Sequence, residues 1–352
     1  MSDMRESRRK IRLSRVRQVL VTGGAGFIGS HLTDRLVGEG FAVSVVDDLS
    51  GGRREYVNPK AKFFHCDLRE AGKAARIIEK IRPELVYHLA ANAAEMKAQF
   101  SPIDITSRNY NTFINTLVPA LRGGMRRFVF TSSIAVYGSG QAPFRETDRP
   151  EPKDLYGISK LAIEESLKVL AEVHNFEYVI ARPHNVYGPR QNMSDPYRNV
   201  VMIFMNALLK KQPYTIYGGG RQRRCFSYVD DVVDALFGCG FFDVSEMTFN
   251  IGSDEAHSIN ELSDLIQKIS GVRLPHRSLG KRPQEVQVAI ANHSLSRRYL
   301  GYQDRVSLRE GIALTWRYAK QRGYQEPIFT SLELPSPKLP KNWRVRQIVD
   351  DV

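Results

Sequence analysis

The stretch VLVTGGAGFIGSHL, residues 19–32, admits few folds. A continuous apolar run, Gln18–Thr22, ends in glycine, and apolar residues then recur at Ile28, Leu32, Leu36 and Val37. That second spacing is helical. Gly23, Gly26 and Gly29 form G-x-x-G-x-x-G between the two. In such a turn the first glycine permits a tight reversal and the second lets backbone approach a pyrophosphate. The third lets the helix close against the strand. The helix N-terminus then turns its partial positive charge toward the phosphates. A glycine triplet alone is a weak signal, but between a strand and a helix it reads as a dinucleotide-binding loop.

The following residues agree. A second strand over Phe41–Val46 precedes Asp47, where a carboxylate accepts both adenosine-ribose hydroxyls. The same charge repels the 2′-phosphate of NADP, so Asp47 favours NAD; Arg53 and Arg54 nearby pull the other way. Asp67, in HCDLRE, reads either as a partner for the adenine amino group or as an acid at a helix N-terminus. The spacing then predicts a helix over 74–81, a strand over Leu85–Leu89 and a helix over 107–121. A strand over Arg127–Thr131, a helix over Leu155–His174 and a strand over Tyr178–Ala181 follow. Such alternation predicts a parallel sheet covered on both faces. Past Asn185 the pattern loosens, with helices expected over Val200–Lys211, Val229–Gly238, Asn260–Ser270 and Leu308–Arg322. Capping boxes are expected at Ser258/Glu261 and Ser307/Glu310.

Composition narrows the classes. Of 352 residues, 42% are apolar, enough for a large core. No apolar run reaches the roughly 18–20 residues that span a bilayer. The N-terminus lacks the apolar core of a secretory signal. Cys66, Cys225 and Cys239 are odd in number and contain no Cys-x-x-Cys, against a disulfide framework or a zinc site. A reduced, cytoplasmic setting is the default. The net charge is +13, partly from Arg5, Arg8, Arg9, Lys10, Arg12, Arg15 and Arg17. Those charges read as a nucleic-acid arm or as a solvated leader. The absence of interleaved aromatics favours the leader.

The chemistry centres on TSSIAVYG, 131–138, and YGISK, 156–160. Tyr156 and Lys160 are four apart and share a helix face. An ammonium beside a phenol lowers its pKa, so Tyr156 is expected to exchange a proton with a substrate hydroxyl. Ser133, at a strand end, is expected to hold the same oxygen. Ser132 reads as structural.

TGGAGFIG, Asp47, Asp67, HLAA at 88–91, TSSIAVYG, YGISK, RPHNVYGPR at 182–190 and RCFSYVDDV at 224–232 together resemble one family. It is the extended short-chain dehydrogenase/reductase group of NAD-dependent nucleotide-sugar epimerases and dehydratases, over about residues 18–325. The resemblance implies an α/β fold: a Rossmann-type doubly wound parallel sheet with a smaller C-terminal α/β substrate domain. The expected organisation is a basic leader at 1–17 and an NAD-binding domain at 18–185, with segments near 225–250 returning to it. A nucleotide-sugar domain at 186–330 and an extended, Pro-rich tail at 331–352 follow. NAD is expected against Gly23, Gly26, Phe27, Ile28, Gly29, Asp47, Asp67, Leu68, Leu89, Ala90 and Ala91, with Tyr156 and Lys160 at its nicotinamide end. Ser133, Tyr156, Lys160 and Asn109 are the implied catalytic set. Asn185, Asn199, Tyr217, Arg224, Arg282 and Glu285, with Ser133, are the implied contacts of a UDP-sugar. A homodimer is implied through the helices at about 107–121 and 156–174, with Leu161, Leu167 and Val169 as apolar candidates.

The departures from the family pattern carry information. Dehydratases of the group follow the catalytic hydroxyl with Asp and Glu, decarboxylases commonly with Glu, and 3,5-epimerases place a cysteine in this loop. Here Ile134 and Ala135 occupy those positions. Inert neighbours leave hydride chemistry at C4, and the expectation is a 4-epimerase. UDP-glucose/UDP-galactose ranks first, the UDP-N-acetylhexosamine pair second because Ala289 leaves room at C2, and UDP-glucuronate third. Alternatives are a reductase or dehydrogenase, a dehydratase or decarboxylase using acids from elsewhere, and a non-catalytic dinucleotide sensor or RNA binder. Glu95 and Lys97 fall where sugar contacts are expected; His184 has no assigned role.

Overall fold

A computed structural model describes residues 16–198, 200–334, 336–340 and 343. Most of the basic leader and the end of the tail therefore lie outside the described residues, as does Asn199. The first half alternates as expected: β1 (Gln18–Thr22), α1 (Phe27–Gly38), β2 (Ala42–Asp47), β3 (Lys62–His65), α2 (Ala71–Ile81) and β4 (Leu85–His88). Two short helices, α3 (Glu95–Ala98) and α4 (Pro102–Thr106), precede α5 (Thr112–Arg122). Then come β5 (Arg127–Thr131), α6 (Leu155–His174) and β6 (Glu177–Pro183). The second half contributes α7 (Val200–Lys210), α8 (Val229–Phe241), β7 (Met247–Ile251), α9 (Ile259–Ser270), α10 (Ser294–Leu300) and α11 (Leu308–Arg322).

The seven strands form one parallel sheet in the order β7-β6-β5-β4-β1-β2-β3. Order reverses beside β1, which opens a crevice above the strand ends. Both faces are buried, so the strands read as apolar runs. Val19, Val21, Val45 and Tyr87 pack on one face, in the cluster that holds α1 and α8. Leu20, Val46, Val86, Phe128 and Phe130 pack on the other, with α2, α5 and α6.

The expected helix over 107–121 is interrupted. A π-helical turn, Ser107–Asn111, joins α4 to α5. Of the expected capping boxes, Ser258 and Glu261 bond reciprocally, while Ser307 accepts from the Glu310 amide at 3.3 Å. Small strands line the second half. Arg223–Cys225 lies between Ala256–Ser258 and Val288–Ala289, and Tyr214–Tyr217 pairs with His276–Leu279.

Candidate active site

A cavity of about 1150 Å³ runs from the glycine loop across the strand ends into the second half. At its first end Gly23 adopts φ +69°, and a Cβ there would stand 2.8 Å from the Ala90 amide nitrogen. A Cβ on Gly29 would fall 2.2 Å from the Gly23 carbonyl oxygen, so the third glycine does permit close helix–strand packing. Gly26 caps α1 without a side chain, and no acid lies in the first turn, which leaves the N-terminal amides free for an anion. Phe27, Ile28, Leu68, Leu89, Ala90 and Ala91 line the same groove.

Asp47 accepts from the Ala25 amide (3.0 Å) and the Leu49 amide (2.8 Å), which fixes its carboxylate at the groove wall. Burial pushes its pKa up, and those two amides oppose the shift. Asp67 also lines the groove, but Arg69 grips its carboxylate through Nε (2.9 Å) and Nη2 (2.6 Å). That ion pair holds Asp67 below its ordinary pKa. A side-chain-free cradle, a helix N-terminus and a fixed ribose-height carboxylate fit a dinucleotide.

Ser133, Tyr156 and Lys160 meet in the middle of the cavity. Ser133 caps the 3₁₀ turn Ile134–Tyr137, accepting from the Ala135 amide (3.1 Å), and lines the cavity beside the Tyr156 phenol. Asp154 caps α6 through the Gly157 amide (2.8 Å), which places Tyr156 in the first turn and Lys160 one turn later. Lys160 Nζ donates to the Thr131 carbonyl (2.8 Å), 5.7 Å from the Tyr156 ring centre. The electrostatics reverse the simple expectation. Burial and the charge of Glu95 raise the Tyr156 pKa, with Ser133 opposing. Burial lowers Lys160 to about 7, so it is a weaker cation than spacing alone implies. Ser132 is structural as expected. Its hydroxyl donates to Glu164 (2.5 Å), which is fully buried against Arg182.

Asn109 stands apart. The π turn buries it, and it braces two elements rather than reaching the cavity. Its Oδ1 accepts from the Asn92 amide (2.8 Å), and its Nδ2 donates to Ser159 Oγ (2.9 Å).

The far end gathers Asn185, Tyr217, Arg224, Arg282 and Glu285 along the wall. Arg224 donates to the carbonyls of Arg223 (2.8 Å), Gln287 (3.2 Å) and Val286. Arg282 donates to Glu285 (2.6 Å) and stacks 4.8 Å from the Tyr217 ring centre. Asn185, at φ +41°, donates to the Cys225 carbonyl (3.0 Å). Ala289 is buried against Ile134 at the cavity edge.

Several contributors were not assigned from sequence. Asp154 and Arg198 line the cavity and act electrostatically on Tyr156. The tail is also part of the wall. Phe329, Leu332, Leu339 and Trp343 pack with Ala94, Met96, Phe100 and Tyr197. Glu333 accepts from the Ile103 (2.7 Å) and Asp104 (2.8 Å) amides, and its own amide donates to the Phe100 carbonyl (2.9 Å). The expected extended tail is thus a docked strap over the α3–α4 segment. The large apolar residues among its prolines were the available signal.

Comparison with known proteins agrees with this geometry. The model of the NAD dependent epimerase/dehydratase family matches residues 19–252. The UDP-glucose 4-epimerase of Mycolicibacterium smegmatis is 34% identical over 315 residues, covering 87% of this chain and 99% of that protein. UDP-glucuronic acid decarboxylase 2 of Arabidopsis thaliana is 33% identical over 322 residues, covering 87% of this chain and 68% of that one. The crystal structure of Thermotoga maritima UDP-glucose 4-epimerase with UDP-glucose superposes with a TM-score of 0.83 at 34% identity. It covers 86% of this chain and 99% of that chain. The dinucleotide cradle, the serine–tyrosine–lysine cluster and these matches converge: the chain is an enzyme of the NAD dependent epimerase/dehydratase family, and NAD is its cofactor.

Proposed function

We propose that this enzyme inverts C4 of a UDP-sugar. The observation that carries the reading is the Ser133–Tyr156–Lys160 cluster, flanked by Ile134 and Ala135 where elimination needs an acid and a base. NAD binds along the glycine loop and Asp47, and supplies a hydride acceptor and donor with a positively charged ring. Arg224 and Arg282 hold the diphosphate, Tyr217 flanks the base and Glu285 accepts from the nucleotide ribose. Ser133 holds the C4 oxygen against Tyr156. Tyr156 takes the hydroxyl proton as C4 becomes a ketone, and returns it after the sugar has turned about its diphosphate linkage. Because burial keeps the free phenol protonated, proton release is coupled to binding: positive charge brought beside Tyr156 stabilises the phenolate. UDP-glucose/UDP-galactose remains the first pair, the N-acetylhexosamine pair the second and UDP-glucuronate the third. Asn109 is a positioning residue in this scheme.

One observation favours a second reading. Glu95 and Asp154 both line the cavity and lie close enough to act on each other electrostatically, so acids exist there despite Ile134 and Ala135. Decarboxylation or dehydration through them has support from the decarboxylase relative. Proton NMR of the purified protein with UDP-glucose, UDP-N-acetylglucosamine or UDP-glucuronate, with no added cofactor, separates the two. The expected result is the C4 epimer of one of them, lost by a factor on the order of 10²–10⁴ in Tyr156→Phe. A decarboxylated or 4-keto-6-deoxy product would install the second reading. We also propose a homodimer through α5 and α6.

A further inference from the structure

Glu95 opens α3 just beyond β4, and its side chain faces the cavity that holds Tyr156. Among the described residues its carboxyl makes no hydrogen bond and no ion pair. Every charged group within its electrostatic reach is already engaged. Asp154 is committed to capping α6. Arg224 is held by three backbone carbonyls, and Arg282 by Glu285. Lys97, on the same short helix, turns to Asp104 at 3.2 Å. The strap then fixes the segment from above, through Met96 and Phe100. Glu95 is exposed and lines the cavity, so its carboxyl has no protein partner to give up and is free to meet a bound molecule.

We propose that Glu95 determines which sugars enter: it accepts hydrogen bonds from the hydroxyls of an uncharged sugar and, with Asp154, rejects a sugar that carries its own carboxylate. This rests on the reading that the cavity holds a nucleotide sugar, and goes beyond it by naming a charge class. Two carboxylates confined together repel strongly where water is displaced. The arginines cannot relieve that repulsion, because a diphosphate claims them.

Glu95 also gives the selection a pH dependence. The side chain is exposed to the cavity rather than packed in the core, but the protein surrounding the cavity, then Asp154, pushes its pKa up to about 7, with Arg224 and Arg282 opposing. A bound diphosphate would cancel the arginines and push it higher. Glu95 is therefore charged above that value and neutral below it. Rejection of an anionic sugar is strong at pH 8 and relaxes at pH 6.

The test measures binding, with the chemistry disabled. NAD-loaded Tyr156→Phe protein and its Glu95→Gln derivative are titrated calorimetrically with UDP-glucose and UDP-glucuronate at pH 8 and pH 6. The uronate is expected to bind on the order of 100-fold more weakly than glucose at pH 8. That ratio should shrink at least tenfold in Glu95→Gln and lose its pH dependence, while UDP-glucose affinity moves only a few-fold. A Glu95→Ala derivative and UDP alone check that the fold and the nucleotide end are intact. An unchanged ratio in both derivatives overturns the role of Glu95 and leaves the nucleotide-sugar reading standing. Failure of both sugars to bind overturns the two together.

Discussion

At the scale of single residues, what the sequence spells depends on whether a role is local. The glycine triplet, at three-residue spacing, and the Tyr156–Lys160 pair, at four, are legible because short-range spacing alone places them. Their protonation is not, because burial decides it: the same lysine that spacing casts as a firm cation is pushed to about 7. Asn109 misleads for a related reason, since a π turn rotates it inward. His184 acquires a role only through a distant partner. It meets His293 Nε2 to Nε2 at 2.9 Å, and His293 Nδ1 meets Asp254 at 2.9 Å. Burial lowers the pKa of both imidazoles, as it lowers His88 to about 3. All three bind protons more weakly folded than unfolded. Their contribution to stability is complete above the unfolded value of about 6.5 and is lost as pH falls below it. Each unit of depression is worth about 1.4 kcal/mol. Glu95 works in the opposite direction, gaining a proton on folding near pH 7, and so do the raised carboxyls of Asp47, Glu146, Asp154 and Asp304, so the histidine pair is read by difference. Between pH 7 and pH 5 the melting temperature should fall further in the parent protein than in His184→Phe/His293→Leu. An equal drop in that variant sinks the assignment.

At the scale of elements, long periodic segments are read well and short ones poorly. The bounds of α6 and α11 follow directly from the 3.6-residue period. The two- to four-residue strands of the second half carry no period to read, and form because the chain around them is already in place. The strap is the extreme case. Prolines mark it as irregular, while Phe329, Leu332, Leu339 and Trp343 decide where it docks. Its Glu333 carboxylate supplies the two amides at the start of α4 with acceptors. Loosening the strap should therefore act on the sugar end and spare the dinucleotide groove. In Trp343→Ala/Glu333→Ala we expect KM for the sugar nucleotide to rise about tenfold, equivalent to ~1.4 kcal/mol, with NAD affinity unchanged. Equal weakening of both would show that the strap supports the fold generally.

At the scale of the whole molecule, the parallel sheet and the crevice above it are legible because buried strands and amphipathic helices alternate so regularly. Which outer surfaces stay open is not legible. Leu167, an expected contact residue, lies fully in the core, and Leu161 packs beside the Ile134 cluster. Of the expected three only Val169 is open (61% exposed), and Val118 (39%), Ile158 (48%) and Val173 (70%) join it on α5 and α6. If these surfaces pair two copies, sedimentation equilibrium should give twice the chain mass, and Val169→Glu/Val173→Glu should give a single chain mass. A monomeric parent protein removes the proposal.

The strap has a further consequence, in the order of events as the chain folds. The glycine loop, Asp47 and Lys160 lie within the first 160 residues, and their contacts can form early. Phe100 and Trp343 are separated by most of the chain, and long loops close late because their closure costs more entropy. A folding intermediate, or a chain cleaved between α11 and Trp343, would hold a dinucleotide groove with an unfinished sugar end. Dinucleotide added during refolding would then trap a partly built enzyme, one that carries its cofactor before it can close around a sugar.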